Sequence, residues 1–245
     1  MENVGESKSR NADFDKSFSR SRLIGDLIPA AVAQPVVFDV GGHKGESIAF
    51  LRGLFPAAQI HSFEPDPATF GVLSRAADAH TYCHNLALSD SDSRVSFFRN
   101  CISHTSSLFP INLESRDSIY LSGLRERNVT PEAGRFNEQI EVQAQRLDHF
   151  CEAQSIGRID LLKIDVQGAE FRVLNGAGRK LEQVGALILE ISFFDYYEHR
   201  GSFQEIESIV APFGFRLFSI SEISNNPMNG RTDWAEVIYT RDVAR

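Results

Sequence analysis

The chain has 245 residues, of which 42% are hydrophobic and 24% are charged, so its composition matches neither a disordered nor a membrane protein. The 25 Lys and Arg against 33 Asp and Glu give a net charge of −8, and no long basic run offsets it. Because phosphate binding relies on clustered cations, nucleic acid is not an expected partner.

The first 22 residues are polar and mixed in charge, and we interpret residues 1–22 as a flexible N-terminal arm. They lack the apolar stretch of a signal peptide, and no later run approaches the ~18 apolar residues of a membrane span. These features favour a cytoplasmic protein without a membrane span. Residues 23–245 are interpreted as one domain. The three scattered cysteines, Cys83, Cys101 and Cys151, favour free thiols over a disulfide framework.

From Val36 onward, short apolar runs alternate with amphipathic segments. The segment before it, SRLIGDLIPAAVAQ, fits either a short helix packed on the domain or a loosely ordered arm. The next predicted strands are PVVFDV, AQIHSFEPD, HTYCHNLALSD and VSFFRN. The helices predicted between the first three strands are ESIAFLRGLF and PATFGVLSRAAD.

Residues 101–138 are serine-rich and irregular, and we interpret them as an insertion that either covers a site or is simply solvated. QIEVQAQRL then alternates like an edge strand, and DHFCEAQ suits a short helix. The final strands and helices are IDLLKIDV, QGAEFRVLNGAGRKLEQ, ALILEISFF, SFQEIESIVAPFG, FRLFSI and WAEVIYTR. Repeated βα units predict an α/β fold with a doubly wound, mostly parallel sheet.

Ligands of such sheets bind beyond the carboxyl ends of the strands. Asp39, Glu64, Asn85, Asp165 and Glu190 all fall at or just after the predicted strand ends. Four carboxylates that meet on one edge are costly unless they bind something.

The loop after the first strand contains Gly41, Gly42 and Gly45. It lacks the first glycine of the dinucleotide fingerprint G-x-G-x-x-G, and it is not a phosphate loop, because a glutamate follows Gly45. Asp39 and that glutamate oppose a pyrophosphate but suit the cationic groups of S-adenosylmethionine. Glu64 suits the ribose hydroxyls of either NAD or S-adenosylmethionine.

FDVGGHKGES, FEPDP, NLALSD and DLLKIDVQGAEFRVLNGA resemble the FkbM family of S-adenosylmethionine-dependent methyltransferases, which are chiefly O-methyltransferases of natural products and carbohydrates. The resemblance covers about Val36 to Thr240. It implies a class I methyltransferase (Rossmann-like) fold, whose mostly parallel seven-stranded sheet has an antiparallel C-terminal strand, here WAEVIYTR. Two positions depart from the family pattern: Gly42-His43 replaces the usual Ala-Asn, and Gln167 replaces the usual Glu.

The resemblance implies a role for each matching position. The positions implied to bind S-adenosylmethionine are Asp39, Gly41, Gly42, Gly45 and Ser47 at the methionine end, Glu64 and Pro65 at the ribose, Asn85 and Ala87 at the adenine edge, and Asp165 near the methyl group. A divalent metal bound by Asp165, Glu190 and other oxygens is an alternative, but no metal-binding spacing supports it, so no metal site is predicted.

An alcohol acceptor must lose its proton, so a general base is expected. The candidate catalytic residues are Asp165, His199, His104 and Glu190. Exposed loop positions are the alternative for the two histidines, and capping of the sheet edge is the alternative for Glu190. The aromatic residues that follow Glu190 suit either contact with the acceptor or core packing; they are Phe193, Phe194, Tyr196 and Tyr197.

The sequence therefore predicts O-methylation, by S-adenosylmethionine, of a hydroxyl on a carbohydrate or another small natural product. Two other functions stay open. Glu64 and the fold permit an NAD(P)-dependent oxidoreductase, and Gln167 leaves room for a non-catalytic adenosyl-binding module.

Overall fold

The structure is a computed structural model that describes residues 19–115, 136–227 and 229–241. Its centre is a seven-stranded sheet with the strand order β3-β2-β1-β7-β8-β10-β9. These strands are β1 Val36–Val40, β2 Gln59–Phe63, β3 Thr81–His84, β7 Ile159–Ile164, β8 Val184–Ser192, β9 Phe215–Asn225 and β10 Thr232–Arg241. A second, three-stranded sheet has the order β4-β6-β5 and consists of β4 Ala87–Ser89, β5 Arg94–Arg99 and β6 Glu138–Arg146.

The pairing of the large sheet confirms the predicted fold class. β3, β2, β1, β7 and β8 pair in parallel. The last strand, β10, runs antiparallel to both of its neighbours, β8 and β9. The C-terminal strand therefore lies inside the sheet, and β9 forms the edge.

Helices cover both faces of the large sheet. They are α1 Arg20–Gly25, α2 Glu46–Leu54, α3 Pro67–Leu73, α4 Leu147–Ala153, α5 Glu170–Ala177 and α6 Phe203–Val210. One core cluster joins α1, α2 and α3 to the sheet, and another joins α4, α5 and α6 to the opposite face. None of the helices in the described part of the chain is long and apolar enough to cross a bilayer.

The prediction of an edge strand at QIEVQAQRL is wrong. This segment is β6, which pairs in parallel with β4 and antiparallel with β5, so it is the central strand of the small sheet. Its alternation has another cause: Val142 and Ala144 pack into a core cluster with Ala87 and Phe97, while the intervening side chains face solvent. Alternation therefore reports one solvated face of a strand and not its position in the sheet.

The N-terminal segment forms helix α1, which begins at Arg20 and so lies partly within the predicted arm of residues 1–22. Ser19 caps the helix by accepting a hydrogen bond from the backbone N–H of Arg22, and Leu23 and Ile24 are buried. Helix α1 therefore overlaps the last three residues of the predicted arm, and residues 1–18 lie outside the described residues.

The predicted insertion, residues 101–138, is described up to residue 115 and again from residue 136. The described part packs against the loop that follows β8, through an antiparallel bridge between Ile111 and Tyr197. Phe109 and Ile111 share a core cluster with Phe194, Tyr196 and Tyr197. This contact places the segment at the carboxyl ends of the central strands.

Candidate active site

A cavity of about 590 Å³ opens at the carboxyl ends of the central strands. Most of the predicted site residues line it: Gly41, Gly42, Ser47, Glu64, Pro65, Ala87, His104, Asp165 and Glu190. The predicted residues that lie outside the lining are Asp39, Gly45, Asn85 and His199. The cavity therefore brings together residues from β1, β2, β4, β7, β8 and the described part of the insertion.

Two glycines let the loop after β1 pack tightly against its neighbours. At Gly41, φ is 90°, and a Cβ atom would lie 1.9 Å from the carbonyl oxygen of Asp165. At Gly42, a Cβ atom would lie 2.0 Å from Ser62 Oγ. The backbone N–H groups of both glycines donate to the carbonyl of Phe63, at 3.0 and 2.9 Å. Neither position therefore has room for a larger residue.

Asp39 lies beneath this loop and not on the cavity wall. Its side chain is fully buried, and its Oδ2 atom accepts hydrogen bonds from the hydroxyls of Ser47 and Ser62, both at 2.9 Å. Because β1 extends to Val40, Asp39 is within the strand and not after its end. The geometry does not support a direct contact between Asp39 and a methionine ammonium. It supports an indirect role through Ser47, which lines the cavity.

Lys163 was not anticipated as a site residue. Its ammonium lies 3.3 Å from Asp165 Oδ2 and 3.8 Å from Asp39 Oδ1. Burial lowers the pKa of Lys163, but the charges of Asp165 and Asp39 outweigh that effect and raise the pKa above its ordinary value. A permanent cation therefore links the two carboxylates. A single lysine in the otherwise apolar strand IDLLKIDV was the available signal.

Glu64 presents a buried carboxylate at the end of β2. Oε1 accepts from the backbone N–H of Asp66 at 2.8 Å, and Oε2 accepts from that of His43 at 3.1 Å. Burial raises the pKa of Glu64 to about 7, despite these hydrogen bonds. Asn85 does not line the cavity. Instead, its side-chain amide donates to the backbone carbonyls of Glu64 and Pro65, both at 2.9 Å. These hydrogen bonds hold the backbone at the end of β2 in place.

A second group of polar side chains joins the ends of β7 and β8. Gln167 Nε2 donates to Asp165 Oδ1 at 2.9 Å and to Glu190 Oε1 at 3.0 Å. Burial raises the pKa of Glu190 well above its ordinary value, and the charges of Asp165 and Glu170 raise it further. Glu170 itself accepts from the backbone N–H groups of Val166 and Gly168, and therefore shapes the loop that carries Gln167.

The histidines divide into residues at the cavity and residues away from it. His104 lines the cavity, and so does His43, whose Nε2 atom lies 2.8 Å from Ser103 Oγ. The His43 contact joins the glycine loop to the described part of the insertion. His199 is exposed, and its ring lies edge-on to Phe109 with the centroids 6.0 Å apart. The structure therefore does not bring His199 to the site.

The aromatic residues after β8 also lie outside the lining. Phe194, Tyr196 and Tyr197 are buried in the cluster that holds the insertion, while Phe193 is exposed. Core packing explains the first three, and Tyr197 in addition donates to Gln167 Oε1 at 2.9 Å.

The lining fits an adenosyl ligand that carries positive charge and no phosphate. The two permanent cations among the described lining residues are Arg20 and Lys163, and each is already paired with carboxylates. The acidic lining residues are Glu46, Glu64, Asp66, Asp165 and Glu190, and apolar side chains such as Leu86 and Phe97 complete the wall. Within the described ranges, no group of three His, Cys, Asp or Glu side chains is arranged to hold a metal ion.

Comparison with known proteins agrees with this chemistry. Residues 39–217, more than half of the chain, match the family described as Methyltransferase FkbM domain. Methyltransferase sdnD of Sordaria araneosa is 27% identical over 236 residues, which cover 87% of this chain and 82% of that protein. The 2-O-methyltransferase NoeI of Sinorhizobium fredii (strain NBRC 101917 / NGR234) is 29% identical over 191 residues, which cover 73% and 72%.

A third relative, the 31-O-demethyl-FK506 methyltransferase FkbM of Streptomyces tacrolimicus, is 26% identical over 195 residues, which cover 74% of this chain and 73% of that protein. The extent of the family match, the sheet topology and the lining of the cavity agree with one another. The chain therefore belongs to the FkbM family and is an S-adenosylmethionine-dependent methyltransferase with the class I fold.

Proposed function

We propose that the protein transfers a methyl group from S-adenosylmethionine to a hydroxyl group of a carbohydrate or another small natural product. The observation that carries this proposal is that Gln167 holds Asp165 and the half-buried Glu190 together on the cavity wall, where an acceptor hydroxyl can lose its proton. The names of two relatives, a 2-O-methyltransferase and a 31-O-demethyl-FK506 methyltransferase, support transfer to oxygen.

The cofactor contacts follow from the chemistry of the lining. The Glu64 carboxylate is suited to accept hydrogen bonds from the two ribose hydroxyls, while Leu86 and Ala87 offer an apolar surface for the adenine. Because Gly41 and Gly42 have no side chains, the methionine end of the cofactor can approach the backbone of this loop. When bound, S-adenosylmethionine supplies an electrophilic methyl group on a sulfonium.

We assign Glu190 as the group that would accept the proton of the acceptor hydroxyl when the methyl group passes to its oxygen; the methyl C–S bond would break in the same step, and S-adenosylhomocysteine would leave. A carboxylate with a raised pKa is a stronger base than an ordinary one once it is ionised. Asp165 stays beside it, held by Lys163 at 3.3 Å, and is suited to orient the hydroxyl. The remaining contribution is to hold donor and acceptor in line, which accounts for much of the rate in such displacements.

The test is transfer of labelled methyl to panels of hydroxyl and amine acceptors by the wild-type protein, by Glu190→Gln and by the matched control Glu198→Gln. Glu198 is an exposed glutamate outside the cavity lining. We expect label on hydroxyl acceptors and a roughly 10²- to 10⁴-fold lower kcat for Glu190→Gln, with the affinity for S-adenosylhomocysteine unchanged.

Label found on amine acceptors alone would contradict O-methylation. Wild-type turnover by Glu190→Gln across the pH range would contradict the assignment of Glu190 as the base.

A further inference from the structure

Gln167 occupies the centre of the group formed by Asp165 and Glu190. Its side-chain amide has two N–H donors, and Nε2 lies 2.9 Å from Asp165 Oδ1 and 3.0 Å from Glu190 Oε1. One neutral group therefore satisfies an oxygen of each carboxylate. Asp165 and Glu190 both line the cavity, as does Gln167.

The carboxylates determine which end of the Gln167 amide faces them. Ionised carboxylate oxygens only accept hydrogen bonds, so the amide nitrogen faces Asp165 and Glu190 and the amide oxygen faces the other way. The buried Tyr197 hydroxyl lies 2.9 Å from that oxygen, Gln167 Oε1, and 3.0 Å from the carbonyl oxygen of Thr105, and it has one hydrogen to share between them. Thr105 belongs to the insertion, so the orientation of Gln167 also depends on that segment.

The backbone at Gln167 is strained in a way that favours a function for the side chain. Its φ angle is 59°, in the left-handed region that residues with a Cβ atom rarely adopt. Glycine would occupy this position at lower cost, and glycine does occupy the next one. Strain of this kind persists where surrounding contacts enforce it, and here they include the three hydrogen bonds of the side chain and the hydrogen bond that the backbone carbonyl accepts from Ser107 Oγ at 2.7 Å.

The charges around Glu190 explain why a neutral donor is needed. Asp165 and Lys163 face it from β7, Glu170 from α5 and Tyr197 from the loop after β8. The β10 residue Glu236 is its cross-strand partner and is paired with Arg20 of α1, and Glu222 of β9 lines the same crevice. The carboxylates outnumber the cations in this group. A further carboxylate at position 167 would therefore bind a proton or displace Glu190.

We infer that Gln167 is a positioning residue: its amide bridges Asp165 and Glu190 and holds both carboxyl groups on the cavity wall, where they face the acceptor hydroxyl. The inference rests on the proposed O-methyl transfer for its role in turnover. The bridge itself is independent of that function. A glutamate at this position could not donate to both carboxylates, so the amide determines how this chain holds its base.

The bridge is tested without cofactor or acceptor by infrared titration of the protonated carboxyl band of the full chain, assigned to Glu190 by its loss in Glu190→Gln. Gln167→Met removes both donors without adding charge. We expect it to raise the titration midpoint of Glu190 by roughly 1 pH unit, and Gln167→Glu to raise it further. Tyr197→Phe is expected to produce a smaller rise. An unchanged midpoint in Gln167→Met would overturn the inference.

Two further variants separate positioning from folding. Gln167→Gly relieves the backbone strain and should fold, yet it should show the same upward shift as Gln167→Met. Gln143→Glu adds a charge at an exposed site on β6 and should leave the midpoint unchanged. A shift in Gln143→Glu equal to that in Gln167→Glu would show that net charge is the cause, and would overturn the bridge.

The raised titration midpoint of Glu190 should also affect turnover. In Gln167→Met, the rising limb of the pH–kcat profile should move to higher pH, while KM for S-adenosylmethionine stays unchanged. A loss of kcat with an unmoved limb would overturn the positioning role. A wild-type protein that transfers no methyl to any hydroxyl contradicts the proposed function alone, because the infrared titration still decides the bridge.

Discussion

At the scale of single residues, we expect Glu64 to couple cofactor binding to pH. Burial raises its pKa to about 7, and only its ionised form accepts hydrogen bonds from both ribose hydroxyls without presenting its own proton. We expect the affinity for S-adenosylhomocysteine to rise as pH increases through about 7. Glu64→Gln should bind at least 10-fold more weakly at high pH and lose the pH dependence. Calorimetry at several pH values measures both effects.

The matched control for Glu64→Gln is Glu152→Gln, an exposed glutamate on α4, which should bind like the wild type. A wild-type affinity that does not change across neutral pH would argue against an ionised Glu64 at the ribose.

The positions of site residues at the ends of strands could be predicted from the sequence. The roles of residues that depend on contacts with distant parts of the chain could not. Glu64, Asp165 and Glu190 meet because parallel strands end on the same edge of a sheet. Asp39 also lies near the end of its predicted strand, but its buried side chain contacts Ser47, which lines the cavity in its place. Gln167 was interpreted as a lost charge, since its partners Glu190 and Tyr197 are 23 and 30 residues away in sequence.

At the scale of elements, α1 is held against the sheet by Arg20. The guanidinium pairs with Glu236 on β10 and lies 4.7 Å from the ring centroid of Phe50 on α2. In the sheet, Glu236 on β10 lies between its cross-strand partners Glu190 on β8 and Glu222 on β9. Loss of Arg20 therefore removes the cation that pairs with Glu236 from a group of neighbouring carboxylates. We expect Arg20→Met to lower the free energy of unfolding by about 1–2 kcal/mol, as measured by urea denaturation.

A double-mutant cycle distinguishes the ion pair from the packing of Arg20. Arg20→Met combined with Glu236→Gln should lose less stability than the sum of the single changes, because the second change removes the uncompensated charge. Arg22→Met on the same helix removes an exposed arginine and should change stability by less than about 0.5 kcal/mol. Strict additivity of Arg20→Met and Glu236→Gln would contradict coupling through the ion pair.

The elements themselves were predictable where local pattern determines them. Apolar β-branched runs marked the parallel strands, and short alternating segments marked β6 and β10. Pattern alone did not reveal that β6 is central in its sheet, or that β10 inserts between β8 and β9, because strand order is a property of contacts far apart in the chain. The resemblance to a known family supplied the antiparallel direction of β10.

At the scale of the whole molecule, buried ionisable groups give stability two opposing dependences on pH. The pKa values of His61 and His84 fall from 6.5 to about 4 on folding, chiefly through burial, so the unfolded chain binds more protons and stability rises with pH across that range. The pKa values of Glu64 and Glu170 rise from 4.5 to about 7, again chiefly through burial. The folded chain then holds the extra protons, and stability falls as pH rises.

These contributions oppose each other most evenly below about pH 6.5, the pH at which the unfolded histidines are half deprotonated, and above it the loss of protons from the folded carboxyl groups dominates. We therefore expect stability to decline from about pH 6.5 to pH 8. Glu170→Gln should reduce this decline by about 0.8 kcal/mol, because glutamine keeps an oxygen for the N–H groups of Val166 and Gly168 and carries no buried charge.

Urea denaturation at pH 5 and pH 8 measures the effect of Glu170→Gln on stability. At pH 5 the variant and the wild type should agree closely, since folded Glu170 is then largely protonated and resembles an amide. At pH 8 the variant should be the more stable, while an exposed change such as Glu152→Gln should alter neither value. A variant less stable than the wild type at pH 8 would mean that the charged form of Glu170 is needed to hold the loop that carries Gln167.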